Sequence, residues 1–236
     1  MGELEVQDYS SSYYEKRYSG YGKRYHQETI QWLTENLSGM VLDAGCGNGF
    51  VSECRPDLNI VGIDLSKGML KHYRGLVCHV MDVCNMSIRW NKEFNGIICR
   101  SLLHHLPLHD KALSEMYRVL RLGGNISFWE TNKSAIATRI RSKTQHGDRF
   151  SNYHHSFKAS ELISSISKWF EIDEVRYMGF LQYPLYGFPD IIDFSRYIPF
   201  NSAIYIATRE IDRIISNIPI LNRTSWSIGI KAHKPE

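Results

Sequence analysis

Apolar residues recur along this chain in two rhythms, and the change from one to the other marks out its elements. Near the start, "YHQETIQWLTENL" sets Ile30, Leu33 and Leu37 at helical spacing, and Gly39 stands where helices commonly stop. Short runs of another kind follow: "MVLDAG", "NIVGIDLS", "LVCHVMDV", "FNGIICRS" and "GGNISFWE". Each has the length of a strand, is rich in Val, Ile or Phe and scarcely alternates with polar residues, as parallel strands covered on both faces do. The spacers carry helical patterns, clearest in "LHDKALSEMYRVLRLGG", where Leu113, Met116, Tyr117 and Leu120 form a stripe ending at Gly123. The spacer "GFVSECRPDLN" is cut short by Pro56, so its helix should have only about two turns. Strands alternating with helices predict a doubly wound α/β sheet.

Further along, "FKASELISSISKWF" is helical in pattern from Ser160 to Phe170, and "FEIDEVRYMGF" and "SWSIGIKAHK" are two more strand candidates. Between these strands lies a stretch crowded with Tyr, Phe, Ile and Pro. Its Asn201-to-Asn217 part is a predicted helix, with Ile204, Ala207, Ile211, Ile214, Ile215 and Ile218 on one face.

Composition narrows the class. A hydrophobic share of 43% and a charged share of 22% are ordinary for a globular protein. The 236 residues would fit one large domain or two small ones, and the chain shows no repeat, low-complexity tract or linker. One domain, 1–236, is the economical reading. A net charge of +3 without a basic stripe argues against a nucleic-acid partner. The cysteines Cys46, Cys54, Cys78, Cys84 and Cys99 are odd in number and form no CxxC, which speaks against a disulfide framework or a zinc site. The N-terminus has no apolar core or small-residue cleavage site, and Val6 departs from the myristoylation pattern. No apolar run approaches the roughly 20 residues a bilayer span needs. A cytoplasmic location is expected.

The candidate chemistry starts at "VLDAGCGNGF", where a buried strand runs into alternate glycines. Glycine tolerates positive φ and lets a ligand approach the backbone. A dinucleotide fingerprint would be G-x-G-x-x-G, but here Phe50 takes the place of the last glycine. Three acids close successive strands: Asp43 before the loop, Asp64 about twenty residues on, where a carboxylate can accept from ribose hydroxyls, and Asp82, where one can meet an adenine amino group. They suit a nucleoside that carries positive charge rather than phosphates.

"VLDAGCGNGF", "VGIDLS", "VMDV", "FNGIICRSLLHHL" and "YRVLRLGGNISFWE", in this order and spacing, resemble the class I S-adenosylmethionine-dependent methyltransferases. Within them the likeness is to the small-molecule, type 11-like branch that includes quinone-biosynthesis methyltransferases. It covers about Leu37 to Glu130. The resemblance implies a Rossmann-like seven-stranded sheet, mostly parallel with an antiparallel last strand, with helices on both faces. It implies S-adenosyl-L-methionine as cofactor, with Gly45 and Gly47 against the methionine part and Cys46 a loop residue whose backbone touches it. Asp64 would hold the ribose, Asp82 and Val83 would line the adenine, and Leu65 and Met69 would flank its ring. Arg100 would follow the fourth strand beside the methionine part, and Tyr14 and Tyr18 would close over the cofactor from the N-terminal segment.

Methyl transfer from a sulfonium needs position and desolvation, and a base where the acceptor is a hydroxyl or an acidic carbon. The candidates are His105, from the pair His104-His105, and His154, from His154-His155; a packing role is the alternative for both pairs. Arg139, Arg141, Lys143 and Arg149 form a loose basic group suited to an acidic acceptor or to plain surface charge. The domain divides into an N-terminal cap (1–38), a cofactor-binding core (39–180), an insertion (181–223) and a last strand (224–236). In this fold the last two strands normally form a hairpin, so so long an insertion calls for a job. It is an apolar lid or acceptor pocket lined by Tyr183, Tyr186, Phe188, Phe194 and Tyr197, a peripheral membrane contact through 201–218, or core and dimer packing. The expected function is methylation, most readily on O or C, of a small-molecule or lipid-like acceptor by a monomer or homodimer. The rival readings are a non-catalytic cofactor-binding or regulatory protein of the same fold and an NAD(P)-dependent oxidoreductase. The fourth strand ends in "CRSLLHHL" rather than the Asn/Asp-Pro-Pro-aromatic run of amino-methylating nucleic-acid enzymes.

Overall fold

A computed structural model describes residues 13–134, 157–189, 193–219 and 221–236. The apolar runs form one seven-stranded sheet in the order β3-β2-β1-β4-β5-β7-β6. Its strands are β1 Met40–Ala44, β2 Asn59–Asp64, β3 Val77–Val80, β4 Phe94–Arg100, β5 Leu120–Thr131, β6 Glu171–Met178 and β7 Ser227–His233. β1 pairs in parallel with β2 (Val41 opposite Ile60) and with β4 (Leu42 opposite Ile97). β7 runs antiparallel to both β5 and β6. The chain winds outward from β1 through β2 to β3, then returns to lay β4 on the other side of β1. The carboxyl ends of β1 and β4 therefore flank a topological switch point, where open α/β sheets place their ligands.

Helices cover both faces. On one, α5 (His109–Val119) buries Ala112, Leu113, Met116 and Val119, and α6 (Ala159–Ile166) adds Leu162 and Ile166. On the other, α2 (Gly20–Thr34) buries Ile30, Trp32 and Leu33. It follows the short α1 (Tyr13–Arg17). Between β1 and β2 the helix α3 is only Phe50–Cys54, shorter than the two turns expected. Arg55 already leaves helical geometry at φ −129°, as the residue before a proline is pushed to do. The helix expected to run to Gly123 also ends early. α5 stops at Val119, and Leu120 pairs opposite Phe94 in the sheet, so strand hydrogen bonds take over the last part of the helical pattern.

The insertion between β6 and β7 holds α7 (Gln182–Tyr186) and α8 (Asn201–Ser216); α4 is the single turn Lys67–Leu70 after β2. α8 docks through Tyr205, Thr208 and Asp212. The Asp212 carboxylate accepts from the Leu181 and Gln182 amides at 2.7 and 3.1 Å, satisfying the open N–H groups at the start of α7. Burial pushes Asp212 up to about 6. Tyr205 meets Tyr186 and Tyr21 with ring centroids 5.1 and 5.5 Å apart, and the Arg24 guanidinium lies 4.4 Å from its ring centre. Tyr21 and Ser202 share a hydroxyl hydrogen bond of 2.7 Å. The insertion is thereby seated on α2. The isoleucine face is a true helix face, yet it is not the docked one: Ala207, Ile211, Ile214 and Ile218 are exposed, and Ile204 and Ile215 only half-buried.

Candidate functional site

The loop after β1 is shaped by its glycines. Gly45 and Gly47 sit at φ +73° and +53°, in the left-handed region. A Cβ on Gly45 would fall 2.9 Å from Leu102, whereas one on Gly47 would meet only the Met69 methyl, at 3.0 Å, and would otherwise project into open space. The Gly45 and Cys46 amides both donate to the Ile63 carbonyl at 2.9 Å, and the Gly47 amide donates to Asp64 Oδ2 at 2.8 Å. The other Asp64 oxygen accepts from the Ser66 amide at 2.9 Å. One carboxylate thus ties the turn after β1 to the turn after β2, and burial raises its pKa.

The other predicted residues gather around this loop. Asp43 is 1% exposed, and its Oδ2 has no hydrogen-bond partner among the described residues. Burial pushes it up to about 7, against the opposing pull of Arg100. Asp82 Oδ1 accepts from the Cys84 amide at 2.8 Å, Val83 and Met69 are buried, and Leu65 stands half-exposed. Arg100, which ends β4, donates from Nη2 to Tyr18 Oη at 2.6 Å. The Tyr18 ring stacks on Phe50 at 3.7 Å and 2°. Phe50 thus answers the departure from the dinucleotide fingerprint: a buried ring holds the N-terminal segment where a glycine would leave none. Cys46 is buried, and burial with the nearby Asp43 and Asp64 pushes its thiol far up, so it stays protonated. Tyr14 lies in α1, but its side chain falls outside the described residues, as do His154, His155, Arg139, Arg141, Lys143 and Arg149.

The histidines after β4 differ from each other. His104 is buried, with Nδ1 2.5 Å from Glu130 Oε2. Glu130, wholly buried at the end of β5, also accepts from the Leu102 and Leu103 amides at 2.9 and 2.7 Å. It fixes the turn that follows β4, where Ser101 adopts φ +56°. Burial pushes Glu130 up to about 7. His105 is half-buried, its ring 4.1 Å from that of His104. The sequence reading overlooked Glu130, although an acid closing an apolar strand was the signal that found Asp43, Asp64 and Asp82. It also overlooked His26, which is 3% exposed on α2 and edge-on to Tyr18 at 5.3 Å. His26 Nε2 lies 3.1 Å from the Gly187 carbonyl, which can only accept, so the proton sits on Nε2 and Nδ1 is left as a buried acceptor. Burial holds this imidazole neutral, well below its usual range. Nothing in the helical pattern of α2 distinguishes His26.

Three acids and one guanidinium therefore converge at the ends of β1, β2 and β4 and just past β3. Such a site suits a ligand with positive charge and hydroxyls, not a polyphosphate. Among the described residues no group of three or more His, Cys, Asp or Glu is placed to hold a metal.

Residues 42–128 match the family described as a methyltransferase domain. The chain is 25% identical over 126 residues to the ubiquinone biosynthesis O-methyltransferase of Pseudomonas fluorescens, covering 46% of this chain and 52% of that protein. It is 35% identical over 91 residues to the tRNA (carboxymethyluridine(34)-5-O)-methyltransferase of Arabidopsis thaliana, covering 36% and 22%. The chain thus spans about half the length, or less, of these curated relatives. Among solved structures, a SAM-dependent methyltransferase from Archaeoglobus fulgidus superimposes with a TM-score of 0.64 at 18% identity, over 90% of this chain and 94% of that one.

Proposed function

Because residues 42–128 match the methyltransferase-domain family, we propose that this chain is a class I S-adenosylmethionine-dependent methyltransferase that methylates an oxygen or carbon of a small-molecule or lipid-like acceptor. The observation that carries the cofactor half is Asp43 Oδ2, a buried carboxylate oxygen without a partner beside a glycine turn that a side chain would fill. It fits the cationic amino group of the cofactor's methionine end, with Arg100 for the carboxylate. Asp64 already receives two amides, yet each oxygen keeps a lone pair for a ribose hydroxyl. Asp82 and Val83 would line the adenine between Leu65 and Met69, while Tyr18, and Tyr14 from α1, would cover the methionine end.

When bound, the cofactor supplies an electrophilic methyl on sulfur. The chain's own part is to orient that end and exclude water, which the Tyr18–Phe50 stack favours by closing the loop from above. His105, half-buried beside His104, is one candidate for proton abstraction, and His154 is the second. The exposed aromatics and isoleucines of the insertion support an apolar acceptor. A tRNA acceptor is the competing reading, raised by the plant relative; the small net charge weighs against it.

Calorimetry with S-adenosylhomocysteine tests the cofactor half. Methyl release from labelled S-adenosylmethionine, scored against phenolic quinone precursors, lipids and bulk tRNA, tests the acceptor. Absent binding would overturn the reading, binding without turnover on any pool would favour a non-catalytic role, and turnover on tRNA alone would replace the acceptor class. Loss of turnover in His105→Ala or His154→Ala, with cofactor affinity intact, would identify the base.

A further inference from the structure

The insertion presents an apolar stripe to the outside while docking through polar and aromatic groups. Ile204, Ala207, Ile211 and Ile214 follow each other at spacings of three, four and three, so they share one face of α8, Ile218 continues the spacing just past its end, and Ile214 is 61% exposed. At the N-terminal end of this stripe Phe200 is 86% exposed at φ +52°, a conformation that costs a non-glycine residue energy. Tyr197, 80% exposed, precedes it, and Leu221, half-exposed, follows the helix. The Phe200 backbone starts α8, its carbonyl accepting from the Ala203 and Ile204 amides at 2.9 and 3.2 Å, while its ring stands out in water and packs on nothing in the fold.

The charges around the stripe indicate what this face meets. Glu210 is held between Arg209 and Arg213 at 3.4 and 3.2 Å, and Arg209 also reaches Glu28 at 3.6 Å, which Arg24 bonds in turn, so three arginines meet two acids and one positive charge is left over. Asp193 is matched by Arg196 at 2.8 Å, and Asp212 faces the body of the protein. Arg223 is exposed, with no carboxylate partner among the described residues. The surroundings of the stripe are therefore net positive. Isologous pairing of two copies would bring these like charges together, whereas an anionic surface would neutralise them. Isoleucines and aromatic rings on one face with arginines beside them are the make-up of a helix lying in a membrane interface.

We propose that α8, with Tyr197, Phe200 and Leu221, docks this chain onto an anionic lipid surface, its isoleucine stripe entering the headgroup boundary. The contact stands on its own observations; that the acceptor is then taken from the leaflet rests on the methyltransferase reading. α8 is clamped on α2, and α2 follows the segment whose Tyr18 meets Arg100, so the docked face and the glycine loop are joined through one helix.

The test is co-sedimentation of the full chain with vesicles of phosphatidylcholine containing about one third phosphatidylglycerol, with S-adenosylhomocysteine affinity measured in parallel. The expected result is binding to these vesicles, weakened by salt and by leaving out the anionic lipid. Ile211→Asp with Ile214→Asp should weaken it at least tenfold, at unchanged cofactor affinity. Phe200→Gly supplies a second arm that cannot fail by misfolding, since glycine accepts φ +52° and an exposed ring is all that is removed. It should also weaken binding, by about threefold to tenfold. No vesicle binding by a chain that binds S-adenosylhomocysteine normally would overturn the proposal and leave the methyltransferase reading standing. So would a dimer that dissociates in Ile211→Asp with Ile214→Asp, which would assign the stripe to a second copy. Vesicle binding without cofactor binding would sink the methyltransferase reading instead.

Discussion

The glycine loop and the insertion treat polarity in opposite ways. Around the loop, Asp43 and Glu130 are charged-type residues taken fully inside, and the large apolar groups Phe50 and Met69 are buried with them. In the insertion, Asp212 and Thr208 are the groups turned inward, and Ile211, Ile214 and Phe200 are turned out. The first arrangement holds costly groups where a ligand can use them. The second leaves apolar surface for a partner the chain does not itself supply. Burial alone would rank both regions as ordinary, and only asking which kind of group is in the unusual place separates them.

The largest effect should come from breaking the insertion's inner side. Tyr205 is wholly buried among Tyr21, Tyr186 and Arg24, so Tyr205→Ala should cost about 3–5 kcal/mol and lower Tm clearly. S-adenosylhomocysteine affinity, measured well below the new Tm, should stay the same. A lost affinity would join the two regions into one site.

Asp64→Ala is the converse test. It removes a charge-assisted acceptor that also tethers the Gly47 amide, so cofactor affinity should drop at least tenfold, about 1.4 kcal/mol, by calorimetry. Unaltered affinity would mean that the carboxylate only staples the two turns.

A pH series sharpens the loop side further. Asp43 is raised from 3.8 to about 7 in the folded chain, so the folded state binds the extra proton between these values. Its contribution therefore favours folding at the low end and is lost as pH rises through about 7. A cationic ligand needs the carboxylate charged, so affinity should climb from pH 5.5 towards 7 and level off above, by up to about tenfold per unit. Asp43→Asn should flatten the curve.

The smallest effect is expected on the outer face. Ile214→Asp should shift stability by no more than about 0.5 kcal/mol, because the side chain leaves no cavity behind. A collapse in Tm would show that another part of the chain covers the stripe.

Legibility followed the same division. The inner strands could be read because a strand covered on both faces is apolar throughout, and helices have little claim on runs so rich in Val and Ile, whereas the edge strand β6 sets Ile172 and Val175 among Glu171, Asp173 and Glu174, and the edge strand β3 is largely exposed. Asp43, Asp64 and Asp82 were readable because each closes such a run. Glu130 obeys the same rule and still passed unnoticed, since its partners, the Leu102 and Leu103 amides and His104, come from a turn that only the fold brings near. For α8 the periodicity found the right face and could not say which way it would point: an amphipathic pattern fixes the division between faces, while Tyr205 and Asp212 decide which one docks.

One arrangement in the sheet bears on how the chain is made. Among the described strands β6 hydrogen-bonds to β7 alone, and β7 also separates it from β5, so both β5 and β6 keep open edges until β7 has been synthesised. The insertion delays that moment: at about 5–20 residues per second, the roughly fifty residues between Met178 and Ser227 occupy the ribosome for several seconds. During that interval the nascent chain carries a finished cofactor half beside two unpaired strands and an isoleucine helix. Rare codons or a slow tRNA in this stretch would lengthen the exposure, and a chaperone with affinity for apolar segments would find its best target there.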